Sequence, residues 1–127
     1  MVGYSGTPLP LKLGIKEDSR VRLFDAPAGF ARLLGVAARE RGEADVIVLF
    51  ASSVAKLEPA FDRLRQSLHP RGGLWVAWPK KSSGVATDLG ENEVRRIGLD
   101  AGLVDNKVCA IDETWSGLRF VVRLVDR

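Results

Sequence analysis

The sequence has very little of what metal centres and disulfides require, because it contains one cysteine and one histidine in 127 residues. A single cysteine cannot form a disulfide within the chain, and the apolar neighbours of Cys109 predict a small buried side chain. His69 has no second histidine, cysteine or carboxylate at ligand spacing. We interpret it as a residue at a helix end, and we predict no metal site.

Long apolar runs and blocks of like charge are also missing. No stretch approaches the length that crosses a membrane, and the amino terminus has no basic segment followed by an apolar core. We therefore expect a cytoplasmic protein without a membrane contact. The formal net charge is +3, but acidic residues are interspersed with the cations, which does not favour nucleic acid as a partner.

What the sequence does contain is an alternation of apolar runs and amphipathic helical patterns. Its length fits one compact domain, 1–127, in which residues 1–16 form an N-terminal extension with a helical turn capped by Thr7 and begun by Pro8. The helices are predicted to begin near Pro27, near Ser52–Ser53 and at a capping box formed by Thr87-Asp88 with Glu91, three residues beyond Asp88. They are predicted to end near Gly35, Pro70 and Gly102. The predicted strands cover residues 19–24, 45–50, 74–78, 107–111 and 118–124.

Two of these strands, residues 45–50 and 74–78, are apolar apart from Asp45 at the start of the first, which predicts that both of their faces are covered. Strands that alternate with helices predict an α/β fold, a three-layer Rossmann-like sandwich with a mainly parallel sheet. The last two strands would form a hairpin that adds an antiparallel strand. This order resembles class I methyltransferase-like Rossmann folds, and a resemblance of topology implies a fold without an activity.

In an open parallel sheet, ligands bind at the carboxyl ends of the strands. There Lys80 and Lys81 suit a small anionic ligand, and Trp115 can stack on one. The alternative interpretation is that these are ordinary polar loop residues. The predicted register brings these ligand-binding candidates to that edge: Asp25, Gly29, Ser52, Ser53, Lys80, Lys81, Ser82, Ser83, Asp112, Glu113 and Trp115.

The turn at residues 25–29 occupies the place of the glycine-rich turn in nucleotide-binding Rossmann domains. It has one glycine, and Pro27 lacks an N–H donor. Neither Glu40 nor Glu43 is well placed to hold a ribose. We predict no cofactor, and S-adenosylmethionine is the alternative.

A catalytic set of nucleophile, base and orienting group is not readable in the sequence. Asp112 and Glu113 are neighbours in an extended segment and would point to opposite faces, so they do not form a carboxylate pair.

Five segments of the sequence are distinctive: GYSGTPL at 3–9, KLGIK at 12–16, GLWVAWPKK at 73–81, GLVDNKVCA at 102–110 and DETWSGLRF at 112–120. Together they resemble a family of small bacterial proteins known as a domain of unknown function. The resemblance implies a bacterial cytoplasmic protein and no particular reaction, and it draws attention to residues 4–6, 78–81 and 112–117. The sequence departs from the family's pattern at residues 36–44, which are short where a fuller edge strand is expected.

The functional prediction is a non-catalytic ligand-binding or protein-interaction module on a reduced methyltransferase-like scaffold. Its partner would be a small anionic ligand or a protein, and an apolar patch beside the last hairpin would indicate a homodimer. One alternative is a small S-adenosylmethionine-dependent methyltransferase or another cofactor-using enzyme, which requires that Pro27 or Phe30 does not fill the space beside the turn. A second alternative is a weak nucleic-acid or anion binder, which requires a basic stripe from Lys80 and Lys81 to Arg95 and Arg96.

Overall fold

The computed structural model describes residues 7–127, so the predictions for residues 1–6, among them Tyr4-Ser5-Gly6, lie outside the described part of the chain. No helix in the described part is long and apolar enough to cross a membrane. The elements are α1 (Leu9–Lys12), β1 (Val21–Phe24), α2 (Phe30–Leu34), β2 (Ala44–Phe50), α3 (Val54–Arg65), β3 (Leu68–Pro79), α4 (Glu91–Asp100), β4 (Leu103–Ala110) and β5 (Trp115–Val122), with short 3-10 turns at Lys81–Ser83 and Leu124–Asp126.

The five strands form one sheet in the order β1-β2-β3-β5-β4. Strands β1, β2 and β3 are parallel, and β5 runs antiparallel between β3 and β4. This arrangement confirms the predicted α/β sandwich with a mainly parallel sheet and an antiparallel strand from the closing hairpin.

Strand β3 lies in the middle of the sheet and is covered on both faces, as its apolar run predicts. Because side chains alternate across a strand, Leu74, Val76 and Trp78 pack on the face that carries α3 and α4. Trp75 and Ala77 pack on the other face, with residues of α2 and of the chain that follows α1. The indole Nε1 of Trp75 donates a buried hydrogen bond to the carbonyl of Leu13 at 3.0 Å, which ties α1 to the sheet.

The start of β3 was predicted wrongly. The strand begins at Leu68, so His69 is a strand residue and does not end a helix; its Nδ1 accepts the N–H of Arg71 at 3.0 Å. Gly72 and Gly73 lie inside the strand and do not form a turn. A Cβ on Gly72 would lie 2.6 Å from the backbone oxygen of Asp45. Glycine is needed here because two backbones approach closely.

Helices α1, α2 and α4 also begin differently from the sequence prediction. Helix α1 has Pro8 as its N-cap and not as its first helical residue, and α2 begins at Phe30, three positions after Pro27. The capping box predicted for Thr87-Asp88 with Glu91 does not form, because the N-cap of α4 is Gly90. Strands β4 and β5 both begin earlier than predicted, at Leu103 and Trp115, because residues next to the loops still pair with the neighbouring strand.

Residues 36–44 connect α2 to β2 and contain one parallel bridge, between Val21 and Ala38. Arg22 holds this connection through its guanidinium, which donates to the carbonyls of Gly42 at 3.0 Å and Glu40 at 3.1 Å. The bridge lies where a further strand beside β1 would be, so a fuller edge strand is reduced to a single pairing.

Candidate functional site

The carboxyl edge of the sheet brings together the segments that the sequence predicted to meet. The N–H of Lys80, just after β3, donates to the carbonyl of Thr114 at 2.8 Å. The Thr87 hydroxyl, in the same loop, donates to the carbonyl of Ser52 at 2.6 Å. The loop after β3 therefore lies between the start of α3 and the β4–β5 connection.

The turn after β1 has an unusual backbone. Asp25 is the one non-glycine residue with positive φ in the described chain, at 56°, and Gly29 has a φ of 85°. The N–H of Phe30 donates to the carbonyl of Pro27 at 3.1 Å, which closes the turn. Asp25 and residues 27–29 are exposed, so the outer side of this turn is open to solvent.

Beneath the turn lies an aromatic cluster of Phe30, Phe50 and Trp115. The rings of Phe30 and Phe50 meet edge to face with centroids 4.8 Å apart, and those of Phe50 and Trp115 meet in the same way at 5.0 Å. Phe30 is 4% exposed and points into the core. Its ring therefore does not occupy the solvent side of the turn, and Pro27 is exposed.

Several of the predicted site residues use their polar atoms to fix loops. The Ser53 hydroxyl caps α3 by accepting the N–H of Lys56 at 3.3 Å. The Ser83 hydroxyl donates to the carbonyl of Lys80 at 2.6 Å. One carboxylate oxygen of Asp112 accepts the N–H groups of Thr114 and Trp115, both at 2.8 Å. These side chains have structural tasks that the sequence did not reveal.

Like the half-buried Ser52, five other candidates have side chains that make no hydrogen bond, ion pair or ring contact within residues 7–127, and all of these five but the half-buried Lys80 are exposed. They supply charges of both signs to the edge. They are Asp25, Lys80, Lys81, Ser82 and Glu113.

Among residues 7–127, no serine or threonine hydroxyl at this edge is hydrogen-bonded to a histidine or carboxylate side chain that could act as its base. Burial raises the pKa of the Cys109 thiol, which disfavours the reactive thiolate. In the described residues, no cluster of three or more histidine, cysteine, aspartate or glutamate side chains could hold a metal ion. The arrangement offers a binding surface with two exposed carboxylates, those of Asp25 and Glu113, and two lysines.

The arginines of α4 do not extend the two lysines into a basic stripe. Arg95 pairs with Glu91 at 2.6 Å and with Asp105 at 2.9 Å, while Arg96 pairs with Asp100 at 3.4 Å. Their charges are neutralised locally, which does not support the nucleic-acid alternative.

Sequence reasoning missed a second polar region at the opposite, amino edge of the sheet. A cavity of about 350 Å³ there is lined by Lys16, Arg71 and Arg119 together with residues of β2. The signal was available, because Arg119 interrupts an otherwise apolar strand between Leu118 and Phe120.

No protein-family model and no curated protein matches the chain. Solved structures do match. The fibrillarin pre-rRNA processing protein of Methanococcus jannaschii has a TM-score of 0.61 and 15% identity, with 94% of this chain and 70% of that chain covered. The ribosomal protein L11 methylase of Lactobacillus delbrueckii subsp. bulgaricus has a TM-score of 0.53 and 14% identity, with 93% and 67% covered.

A third similar structure is the O-methyltransferase NcsB1 from neocarzinostatin biosynthesis, in complex with S-adenosylmethionine, with a TM-score of 0.56, 16% identity and coverage of 81% and 41%. The chain spans 42% and 48% of the length of two magnesium protoporphyrin IX methyltransferase structures from Synechocystis PCC 6803. At such low identity the likeness establishes the fold alone. The chain has a methyltransferase-like Rossmann fold.

Proposed function

We propose that this protein binds S-adenosylmethionine at the carboxyl edge of its sheet and acts as a small methyltransferase. The fold supports this function over a purely structural module, because similar solved structures include methyltransferases with S-adenosylmethionine or its demethylated product bound. The sulfonium of this cofactor supplies an activated methyl group, so the protein's own task would be to hold the cofactor and to orient the accepting nucleophile.

The observation that carries the proposal is the exposed turn from Asp25 to Gly29. A left-handed conformation at a non-glycine residue costs about 1 kcal/mol, and such strain is concentrated where ligands are held. Asp25 has this conformation at the end of β1, which is the position where an α/β sheet binds its ligand.

The chemistry of the turn fits the amino-acid part of the cofactor. The exposed carboxylate of Asp25 is suited to the ammonium and sulfonium charges. The N–H groups of Ala28 and Gly29 are suited to the carboxylate. The half-buried ring of Trp115 lies beyond Phe50 and offers an apolar surface at the same edge. Residues 36–44 contribute less to this binding surface than a fuller edge strand would, since Arg22 holds their backbone close to β1.

Calorimetry and thermal unfolding with S-adenosylmethionine, S-adenosylhomocysteine and ATP test this proposal. A ligand at about 100 times its dissociation constant stabilises a protein by about 2.7 kcal/mol, so both adenosyl ligands should raise the Tm by several degrees and ATP should not. Gly29→Val should weaken binding at least about tenfold, because a branched side chain would project where the cofactor lies.

Gly42→Val is the matched control. Gly42 has a φ of 93° and Gly29 a φ of 85°, both are exposed, and a Cβ on either would meet no atom within 4 Å. The two substitutions therefore strain the backbone alike, and the control should keep full cofactor affinity. Equal losses in both variants, or no saturable Tm shift with either adenosyl ligand, would contradict the proposal.

A second candidate function is a non-catalytic module that has kept this scaffold and binds a protein or a small anion. It is favoured by the structural use of Ser53, Ser83 and Asp112, which removes polar groups that a catalytic site could employ. Incubation of the protein and labelled S-adenosylmethionine with fractions of a cell extract separates the two. Transfer of the labelled methyl group to any fraction supports the enzyme and excludes the module.

A further inference from the structure

Arg119 is a half-buried charge without an acidic partner in the described part of the chain. Among residues 7–127, no carboxylate lies within ion-pair distance of it, and its side-chain hydrogen bond is to Oδ1 of Asn106 at 3.4 Å. By contrast, Arg20 and Arg95 each pair with two carboxylates. Burial, with a smaller effect of Arg127, lowers the pKa of Arg119. A desolvated charge of this kind costs stability unless something else compensates it.

The neighbouring strand leaves space for this side chain. A Cβ on Gly73 would collide with the guanidinium of Arg119, so the guanidinium lies directly against the backbone of β3. Trp75 is opposite Arg119 in the β3–β5 register, and both lie on the sheet face that carries α1. Arg119 is therefore held in a defined place at the amino edge and is not a free surface side chain.

The cavity beside Arg119 has a size typical of small-molecule sites, about 350 Å³. Its acidic residues are Asp18 and Asp45, and the carboxylate of Asp45 is already paired with Arg20 at 3.0 Å. Its cations are Lys16, Arg71 and Arg119, none of which forms an ion pair within the described residues. Positive charge is therefore left uncompensated in this cavity, which we call the amino-edge cavity. It is lined by Gly14, Lys16, Asp18, Ser19, Asp45, Val46, Arg71 and Arg119.

We propose that the amino-edge cavity binds the phosphate group of a small molecule, with Arg119 as its principal donor. A guanidinium presents paired N–H groups that match two phosphate oxygens, and Arg71 and Lys16 add the charge that a dianion requires. The site is independent of the proposed cofactor site, since it lies at the start of β2 whereas the turn from Asp25 to Gly29 follows the end of β1.

Inorganic phosphate and pyrophosphate are the probes, added at constant ionic strength and compared with chloride by calorimetry and thermal unfolding. The wild-type protein should show saturable binding and a Tm that rises by several degrees. Arg119→Met should weaken binding at least about tenfold, as expected for the loss of charge-assisted hydrogen bonds. Arg71→Met should weaken phosphate binding several-fold. Because Arg71 is exposed, this substitution has little effect on folding, and it therefore tests the role of the cavity's cations independently of Arg119→Met.

Arg96→Met is the matched control, because it makes the same change in net charge at a residue outside the cavity. It should bind phosphate as the wild type does. Without ligand, Arg119→Met should keep or raise the Tm, since it removes an unpaired charge and keeps most of the apolar side chain. No saturable binding, or equal weakening in Arg119→Met and Arg96→Met, would overturn the proposal. A lower Tm with unchanged phosphate affinity would show a structural role for Arg119 and would overturn it as well.

Discussion

Gly98 of α4 lies directly against the aromatic ring of Phe120 on β5. A Cβ on Gly98 would overlap the ring, and Phe120 itself is fully buried against Phe61, with ring centroids 5.2 Å apart. Glycine costs a helix about 1 kcal/mol relative to alanine. At this position it is required because the helix backbone packs on an aromatic face.

Gly98→Ala should therefore destabilise the protein by about 1–3 kcal/mol, although alanine is the better helix former. Urea unfolding followed by tryptophan fluorescence measures the change. In a double-mutant cycle, Phe120→Leu should cost less stability in the Gly98→Ala background than in the wild type, because the smaller side chain makes room for the methyl group. Strictly additive effects would mean that the two residues do not interact as described.

Trp75→Phe should cost more stability than Trp78→Phe. Both indoles are buried in β3, but Nε1 of Trp75 donates to the carbonyl of Leu13 at 3.0 Å, and the indole N–H of Trp78 makes no hydrogen bond to residues 7–127. The first substitution leaves a buried carbonyl unpaired, which adds about 1–3 kcal/mol to the loss of apolar volume that both variants share. Denaturant unfolding of both variants measures the difference, and equal losses would argue against this role of the hydrogen bond.

Asp45 gives the fold a defined response to acid. The hydrogen bond from the Arg20 guanidinium is the main reason that the pKa of the Asp45 carboxyl is lowered to about 2, from an ordinary value of 3.8. Because the pKa is lower in the folded state, the stabilising effect is present above about pH 4 and is lost as the pH falls toward 2. The side chain is 35% exposed, so solvent screening reduces its value to about 1 kcal/mol.

Asp45→Asn should therefore reduce the free energy of unfolding by about 1 kcal/mol at neutral pH, and the difference from the wild type should shrink as the pH falls from 4 to 2. Urea unfolding across this range tests it. Asp100→Asn is the control, since the Asp100 carboxylate is 70% exposed at the end of α4, where a negative charge is unfavourable to the helix. A difference between Asp45→Asn and wild type that stays constant from pH 4 to 2 would exclude the linkage.

The sheet could be predicted from the sequence because its central strands are marked by apolar runs that can be recognised locally. The runs that became β2 and the second half of β3 are apolar apart from Asp45 near the start of β2, and burial on both faces follows from composition. The start of β3 could not be predicted in the same way. Gly72 and Gly73 are typical turn residues, but here each accommodates an atom from a distant segment, the carbonyl of Asp45 and the side chain of Arg119.

The candidate site was also predictable in part. Topology correctly placed the loops after β1, β2 and β3 at one edge, because parallel strands end together. The tasks of individual side chains depend on loop conformation, so the sequence did not reveal that Ser53 and Asp112 hold backbone N–H groups. Asp88 is the clearest example of a side-chain role that the sequence pattern did not reveal. Its pattern suggested a cap for α4, yet its carboxylate accepts the N–H of Val54 in α3, 34 residues away in sequence, at 2.9 Å.

Asp88→Ala should loosen the loop that follows β3 and leave the core intact. The loss of a helix-capping carboxylate costs about 1 kcal/mol, and here the same bond attaches the loop to the start of α3. Hydrogen exchange should accelerate at Val54 and in residues 81–90, while the amides of β2 and β3 exchange as in the wild type apart from the global change in stability. Asp62→Ala is the control, since Asp62 is exposed on α3 and its carboxylate makes no hydrogen bond or ion pair within the described residues. Unchanged exchange at Val54 in Asp88→Ala would mean that this carboxylate does not hold the carboxyl edge together.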